Sequence, residues 1–170
     1  MSRSLNGFED YNKRVREDPG FTLPNPPRDS RTFNTASGLA QFTTHNLPDV
    51  SVGEGNYVMM TIRSHDQYNT TIYDLHDRYR GIHGNRRVIL MNEKDMAKQG
   101  WKKKQQVTLV SHYDGKERVA KSWSLVPYDI PMGNVATYFP ESNCLVPLDS
   151  TAEISNTPTS KWIEVSVHAE

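Results

Sequence analysis

The sequence predicts a mainly β domain with short helices, its strands closing into a barrel. Three observations carry that expectation. Apolar runs from residue 57 onward are strand-length, as in YVMMTI (57–62) and VILM (88–91). Asp114-Gly115 separates QVTLVSHY from ERVAKSWSLV, and this dipeptide suits the positive φ values of a tight hairpin turn. WIEVSVH (162–168) alternates Trp162, Glu164 and Ser166 with Ile163, Val165 and Val167, as a half-buried strand does.

Along the chain, Leu5, Phe8, Tyr11 and Val15 recur at helical intervals over 5–17, and Asp18-Pro19-Gly20 stops the pattern. From Phe21 to Asp49, Pro24, Pro26, Pro27 and Pro48 among Asn, Ser and Thr predict an extended segment. YVMMTI reads as a strand buried on both faces that feeds directly into a polar stretch, RSHDQYNTTIYDLHDRYRG (63–81). RRVILMN (86–92) is a second buried strand, after which Asn92 caps a short helix that Gly100 ends. In the hairpin, Val119, Trp123 and Leu125 are expected on one face.

The chain has 170 residues, enough for one domain with a proper core and an appended segment. Twenty Lys+Arg balance twenty Asp+Glu, which gives no general attraction to nucleic acid or an anionic membrane. One cysteine, Cys144, permits no intrachain disulfide and suits a reducing cytosol. No apolar run approaches bilayer-spanning length, and 1–15 lacks the hydrophobic centre of a secretory signal, so the expectation is a soluble, cytoplasmic protein.

His65, His76 and His83 have neither helical nor zinc-finger spacing, so ordinary surface histidines are expected and no metal site is assigned. Cys144, beside Leu145 and Val146, reads as a small buried hydrophobe. Neither a nucleophile elbow nor a phosphate-cradling glycine loop is present, and no catalytic residue is assigned. Lys102 to Lys104 and the Arg86-Arg87 pair read as solvated cations, and Asp66, Asp74 and Asp77 as carboxylates salt-bridged to Arg63, Arg78 and Arg80. What remains is the polar stretch itself. Arg63 offers a planar fork to phosphate or carboxylate, Thr70 and Thr71 offer hydroxyls, and Gln67 and Asn69 match the edge of a heterocycle. Its residues fit either a ligand loop or a solvated connection.

The ordered succession YVMMTIRSHDQYNTTIYDLHDRYRG, RRVILMNEKDMAKQGWKKKQQVTLVS, PESNCLVPLD and SNTPTSKWIEV resembles the C-terminal molybdopterin-dinucleotide-binding domain of molybdenum oxidoreductases related to formate dehydrogenase and dimethyl sulfoxide reductase. It is most similar to the formate-dehydrogenase-like branch known as oxidoreductase alpha subunits, over roughly Ser37 to Val167. NTASGLAQF (34–42) is similar to the family's Thr-Pro-Ser-Gly-Lys-x-x-Phe entrance, with Leu39 in place of lysine. The resemblance implies a six-stranded double-psi β-barrel, the fold of aspartate decarboxylase, over 37–170, with 1–36 as the tail of a preceding domain.

It also implies a site. Thr61, Arg63 and Ser64 match the start of the family's strand-end motif, and Gln67, Tyr68, Asn69 and Thr70 occupy its later positions. Gln and Asn stand where the family has histidines; neither titrates near neutrality, which argues against a proton relay. Asn143, Asn156 and Lys161 match later cofactor-contacting patterns, with Pro147 where threonine is usual. The implied ligand is one guanine-dinucleotide arm of a molybdenum bis(molybdopterin guanine dinucleotide) cofactor. Any [4Fe-4S] cluster and the metal's protein ligand would lie in N-terminal domains of the same enzyme, which are the expected partners together with an electron-transfer partner; neither nucleic acid nor membrane is expected as one. The chain alone would be inactive. Two alternatives stand beside this: a free-standing cofactor-binding subunit, and a small enzyme on the same barrel, which lacks the self-processing Gly-Ser pair that aspartate decarboxylase needs.

Overall fold

In a computed structural model, which describes residues 5–47, 49–68 and 74–170, the chain falls into two units, one up to Asp49 and one from Val50 onward. Among the described residues the second unit holds six strands: β1 (Tyr57–Ile62), β2 (Val88–Met91), β3 (Gln106–Tyr113), β4 (Lys116–Pro127), β5 (Asn134–Tyr138) and β6 (Ile163–Ala169). They close into a barrel in the order β1-β5-β2-β4-β3-β6.

β1 runs parallel to β5 and β2 parallel to β4, while β5 and β2 are antiparallel neighbours. The connection from β1 to β2 therefore passes over β5, and the one from β4 to β5 passes over β2. These two interlocked crossings form the double-psi arrangement that the resemblance implied. Ile62 pairs with Tyr138, Thr137 with Ile89, and Met59 with Ile163, so the ends of β1 and β5 and the starts of β2 and β6 share one end of the barrel.

The interior is filled by Met59, Ile89, Met91, Leu109, Trp123, Leu125, Val135 and Val165, none of them exposed. A second apolar layer of Ile82, Val88, Leu90, Ala136 and Tyr138 covers the outer face of β2 and β5. All four residues of β2 are buried for this reason: Ile89 and Met91 face the barrel interior, and Val88 and Leu90 face the outer layer.

β1 departs from its expectation. Tyr57, Met59 and Thr61 are buried but Met60 is exposed, so the strand is buried on one face and alternates. The hairpin departs as well. Trp123 and Leu125 are fully buried while Val119 is exposed, because between the pairs Leu109↔Ala120 and Val107↔Trp123 the long strand β4 carries one more residue than β3. This bulge, with Ser122 at φ 61°, moves the inward set by one position. The turn itself is as expected, with Asp114 at φ 50° and Gly115 at φ 68°. α3 (Glu93–Lys98) follows β2; the Asn92 side chain accepts from the Lys94 N–H, and Gly100 lies just past the helix at φ 70°.

In the first unit the helix expected over 5–17 shortens to α1 (Tyr11–Arg14), which begins from Asp10 in a left-handed conformation without a side-chain cap. Phe8, Tyr11 and Phe21 instead form an aromatic cluster with centroids 5.7 to 6.4 Å apart, and the Arg14 guanidinium lies 4.1 Å from the Phe21 ring. The segment expected to be extended contains α2 (Pro26–Ser30), capped by Asn25 with proline in the first helical turn. That signal is present in the sequence as Asn25-Pro26-Pro27.

Candidate functional site

At the shared strand end, Thr61, Ile62 and Arg63 from β1 and its exit, Phe139 after β5, and Ser160 and Lys161 before β6 line a cleft of about 220 Å³. The fold makes this meeting necessary, because β1 and β5 are parallel neighbours that end together and β6 starts beside β1. The Thr61 N–H donates to the Ser160 carbonyl at 2.9 Å, and the Lys161 ammonium donates to the Thr61 carbonyl. The Arg63 guanidinium lies 6.0 Å from the Phe139 ring centroid. Among the described residues neither Arg63 nor Lys161 is bridged to a carboxylate.

Ser64 and Gln67 lie behind the cleft, on a buried guanidinium. Arg86, only 4% exposed, donates through Nη1 to Ser64 Oγ (2.8 Å) and through Nη2 to Gln67 Oε1 (3.0 Å) and the Phe139 carbonyl (2.9 Å). Its Nε donates to Glu141 Oε1 at 2.7 Å, and its plane lies 4.7 Å from the Tyr138 ring. Gln67 Nε2 donates to the same Phe139 carbonyl at 3.0 Å. The expectation of a solvated Arg86-Arg87 pair fails for Arg86. An arginine entering an all-apolar strand is drawn in when carboxylate, carbonyl and hydroxyl groups together satisfy its planar fork.

The loop is pinned once more at Asp77, which is 2% exposed. It accepts from Tyr138 Oη (2.8 Å) and Arg80 Nη1 (2.6 Å), and the same Arg80 nitrogen reaches the Arg63 carbonyl at 3.3 Å. Arg78 pairs with Asp66 at 3.7 Å, so the expected salt-bridging of the loop carboxylates holds at Asp66 and Asp77. Burial pushes the Asp77 carboxyl up, but the hydrogen bonds from Arg80 and Tyr138 outweigh it and hold the group below its ordinary value of 3.8. Burial and the Asp77 carboxylate raise the Tyr138 phenol well above its usual range.

A depressed carboxyl stabilises the fold fully above its unfolded value, and the contribution is lost as pH falls through the lower folded value. Asp77→Asn is therefore expected to lower the melting midpoint at pH 7, and its deficit relative to the parent should shrink below the ordinary value of 3.8. A deficit that persists unchanged in acid would assign the loss to packing rather than charge.

Tyr68 is exposed, and Asn69 and Thr70 are outside the described residues. Asn143 lies exposed in a 3-10 turn (Glu141–Leu145), where its N–H donates to the Pro140 carbonyl at 2.9 Å. Asn156 is exposed at φ 52° in the loop that the Thr151↔Pro158 bridge closes. Neither lines the cleft, which unites Thr61, Arg63 and Lys161 and adds Phe139 and Ser160. Cys144, expected to be buried, is exposed, because the 3-10 turn directs Leu145 inward instead.

The family described as Molydopterin dinucleotide binding domain matches residues 57–163, from the first residue of β1 to the first of β6. The chain belongs to this family. As one of these dinucleotide-binding domains it is similar to an uncharacterized oxidoreductase of Mycobacterium tuberculosis (strain H37Rv), 52% identical over 164 residues, 94% of this chain and 21% of that protein. It is also similar to protein YdeP of Escherichia coli K12, 40% identical over 166 residues, 94% of this chain and 22% of that protein. The domain thus spans about a fifth of the length of these relatives. Among solved structures, acetylene hydratase from Pelobacter acetylenicus aligns with a TM-score of 0.45 at 10% identity, over 66% of this chain and 18% of that one.

The cleft fits the ligand class of the family. Two cations with no carboxylate bridged to them among the described residues, the neighbouring Ser160 and an aromatic wall suit a diphosphate joined to flat heterocycles.

Proposed function

We propose that this domain holds the guanine-dinucleotide arm of a bis-molybdopterin cofactor, as part of a longer formate-dehydrogenase-like molybdenum oxidoreductase working in the cytoplasm. The observation that carries the reading is the pair Arg63 and Lys161, both lining one cleft with no carboxylate bridged to either among the described residues. A cationic lining left without internal counter-charge is matched by a phosphate-bearing ligand. That matching stretches lie within chains about five times as long, of which this chain covers 21–22%, favours a domain of one polypeptide over a separate subunit.

When bound, the cofactor supplies the molybdenum-centred electron transfer. The domain's residues bind and orient. Arg63 offers its guanidinium fork to the diphosphate, and Lys161, anchored on the Thr61 carbonyl, sets a second charge at the cleft's other wall. Ser64 and Gln67 accept from Arg86, whose network fixes the loop on which they sit. The lone Cys144 is in keeping with a reducing compartment.

The test is the thermal midpoint of this chain with excess GDP, CDP and ADP in parallel. A ligand at one hundred times its dissociation constant adds roughly 2.7 kcal/mol, which a melt resolves. A shift with GDP alone is expected and should disappear in Arg63→Ala; equal shifts with all three nucleotides would remove the guanine assignment and leave a diphosphate site.

A further inference from the structure

Away from the cleft, the outer face of β3 and β6 gathers two histidines around one hydroxyl. His112 Nε2 lies 2.8 Å from Ser166 Oγ, and His168 Nε2 lies 2.8 Å from the same oxygen. The register explains the meeting: His112 pairs across the ladder two residues beyond Val110↔Ser166, and His168 follows Ser166 by two on the same face. On its other side, His112 Nδ1 lies 3.4 Å from Glu117 Oε1, its cross-strand partner on β4.

The tautomers follow from which ring nitrogen donates. A His112 that donates from Nδ1 to Glu117 presents a bare Nε2 lone pair, so the Ser166 hydroxyl donates to it and can only accept from His168. Two imidazole nitrogens converge on one point, and a carboxylate lies 3.4 Å from the far nitrogen of one ring. A carboxylate in this place sets tautomer and ring direction once the imidazole binds a metal ion. His112 is partly exposed and His168 exposed, so the point is open to solvent.

We propose that His112 and His168 bind a borderline divalent metal ion, with Ser166 and water completing its coordination and Glu117 orienting His112. Among the described residues no group of three or more His, Cys, Asp or Glu is arranged to hold a metal, so oxygen from a hydroxyl and water must fill the remaining positions. Glu164, opposite His112 on β6, is held by Asn56 Nδ2 at 2.6 Å and the Gly53 N–H at 2.8 Å, and contributes only charge. Two imidazoles with neutral oxygens select Cu²⁺ over Ni²⁺ and Zn²⁺, and exclude Ca²⁺ and Mg²⁺, which require oxygen cages. On binding, the Ser166 hydroxyl gives up its two hydrogen bonds to the rings and its oxygen turns to the metal, while His168 ligates through Nε2 with its ring proton on Nδ1.

Calorimetric titration of this chain with CuCl₂, NiCl₂, ZnCl₂ and MgCl₂, repeated on His168→Gln, Glu117→Gln and His76→Gln, tests the site. One Cu²⁺ per chain is expected, with no Mg²⁺ bound and two imidazole nitrogens in the copper hyperfine spectrum. His168→Gln should abolish saturable binding, and Glu117→Gln should weaken it about tenfold by releasing the His112 ring. His76→Gln alters a second histidine pair, His76 and His83, whose Nδ1 atoms lie 3.4 Å apart, and should leave the titration unchanged. Absence of saturable Cu²⁺ binding, or binding that survives His168→Gln, would overturn the proposal. His168→Gln at an exposed position keeps the fold, which an unchanged melt without metal verifies.

Discussion

Arg86→Met is expected to cost about 3–5 kcal/mol of stability, seen as a lower urea midpoint at unchanged slope. Removing the guanidinium takes a donor from Glu141 Oε1, Gln67 Oε1, the Phe139 carbonyl and Ser64 Oγ in a place where water enters poorly, with Gln67 Nε2 still reaching the Phe139 carbonyl. Each abandoned acceptor carries its own desolvation penalty, and the Glu141 carboxylate, 18% exposed, carries the largest. Arg86→Lys should recover little, because one ammonium cannot span acceptors on both sides of a planar fork. A loss within 1 kcal/mol, in the range typical of an exposed pair, would mean that solvent reaches these groups. The candidate cleft should also suffer, since Phe139 lines it and its carbonyl is held by Arg86 and Gln67.

The second large effect is expected at Trp123, which is fully buried in the barrel interior. Trp123→Ala removes an indole from the core formed with Leu109, Leu125 and Val165, and should cost about 3–5 kcal/mol through lost transfer energy and the cavity left behind. Trp123→Phe provides the contrast. Among the described residues the indole Nε1 is buried without a hydrogen-bond partner, so replacing it removes no such bond and relieves an unsatisfied donor. A cost below about 1.5 kcal/mol is expected for Phe, in line with swaps that nearly conserve volume. Equal losses for Ala and Phe would instead indicate that the Trp123 N–H is bonded in solution.

These two positions mark how far local sequence signals reach. Trp123 was legible as a core residue because it alternates with Leu125 on one face of its strand, and β6 was legible because alternation needs no knowledge of its neighbours. Val119 was not, since the bulge at Ser122 has no sequence mark beyond a serine in a strand. Arg86 was not legible either, because its burial depends on Ser64, Phe139 and Glu141, which come from both sides of it in the chain. Within the candidate site, Thr61, Arg63 and Lys161 were found through the motif resemblance, whereas Ser160 and Phe139 enter only through the meeting of strand ends. Asn143 and Asn156 matched the motif but do not line the cleft, since motif order along the chain says nothing of which way a loop turns.

The interlocked connections also bear on how the barrel assembles. β1 is made first but hydrogen-bonds only to β5 and β6, the last two strands. During synthesis it has no partner until residues 134–138 and then 163–169 leave the ribosome. The β3–β4 hairpin, local in sequence, can form in the meantime and serve as a template. Closure is thus a late event of high contact order, and an apolar strand with both edges unpaired waits for it, the state in which nascent chains associate wrongly and in which chaperones are needed.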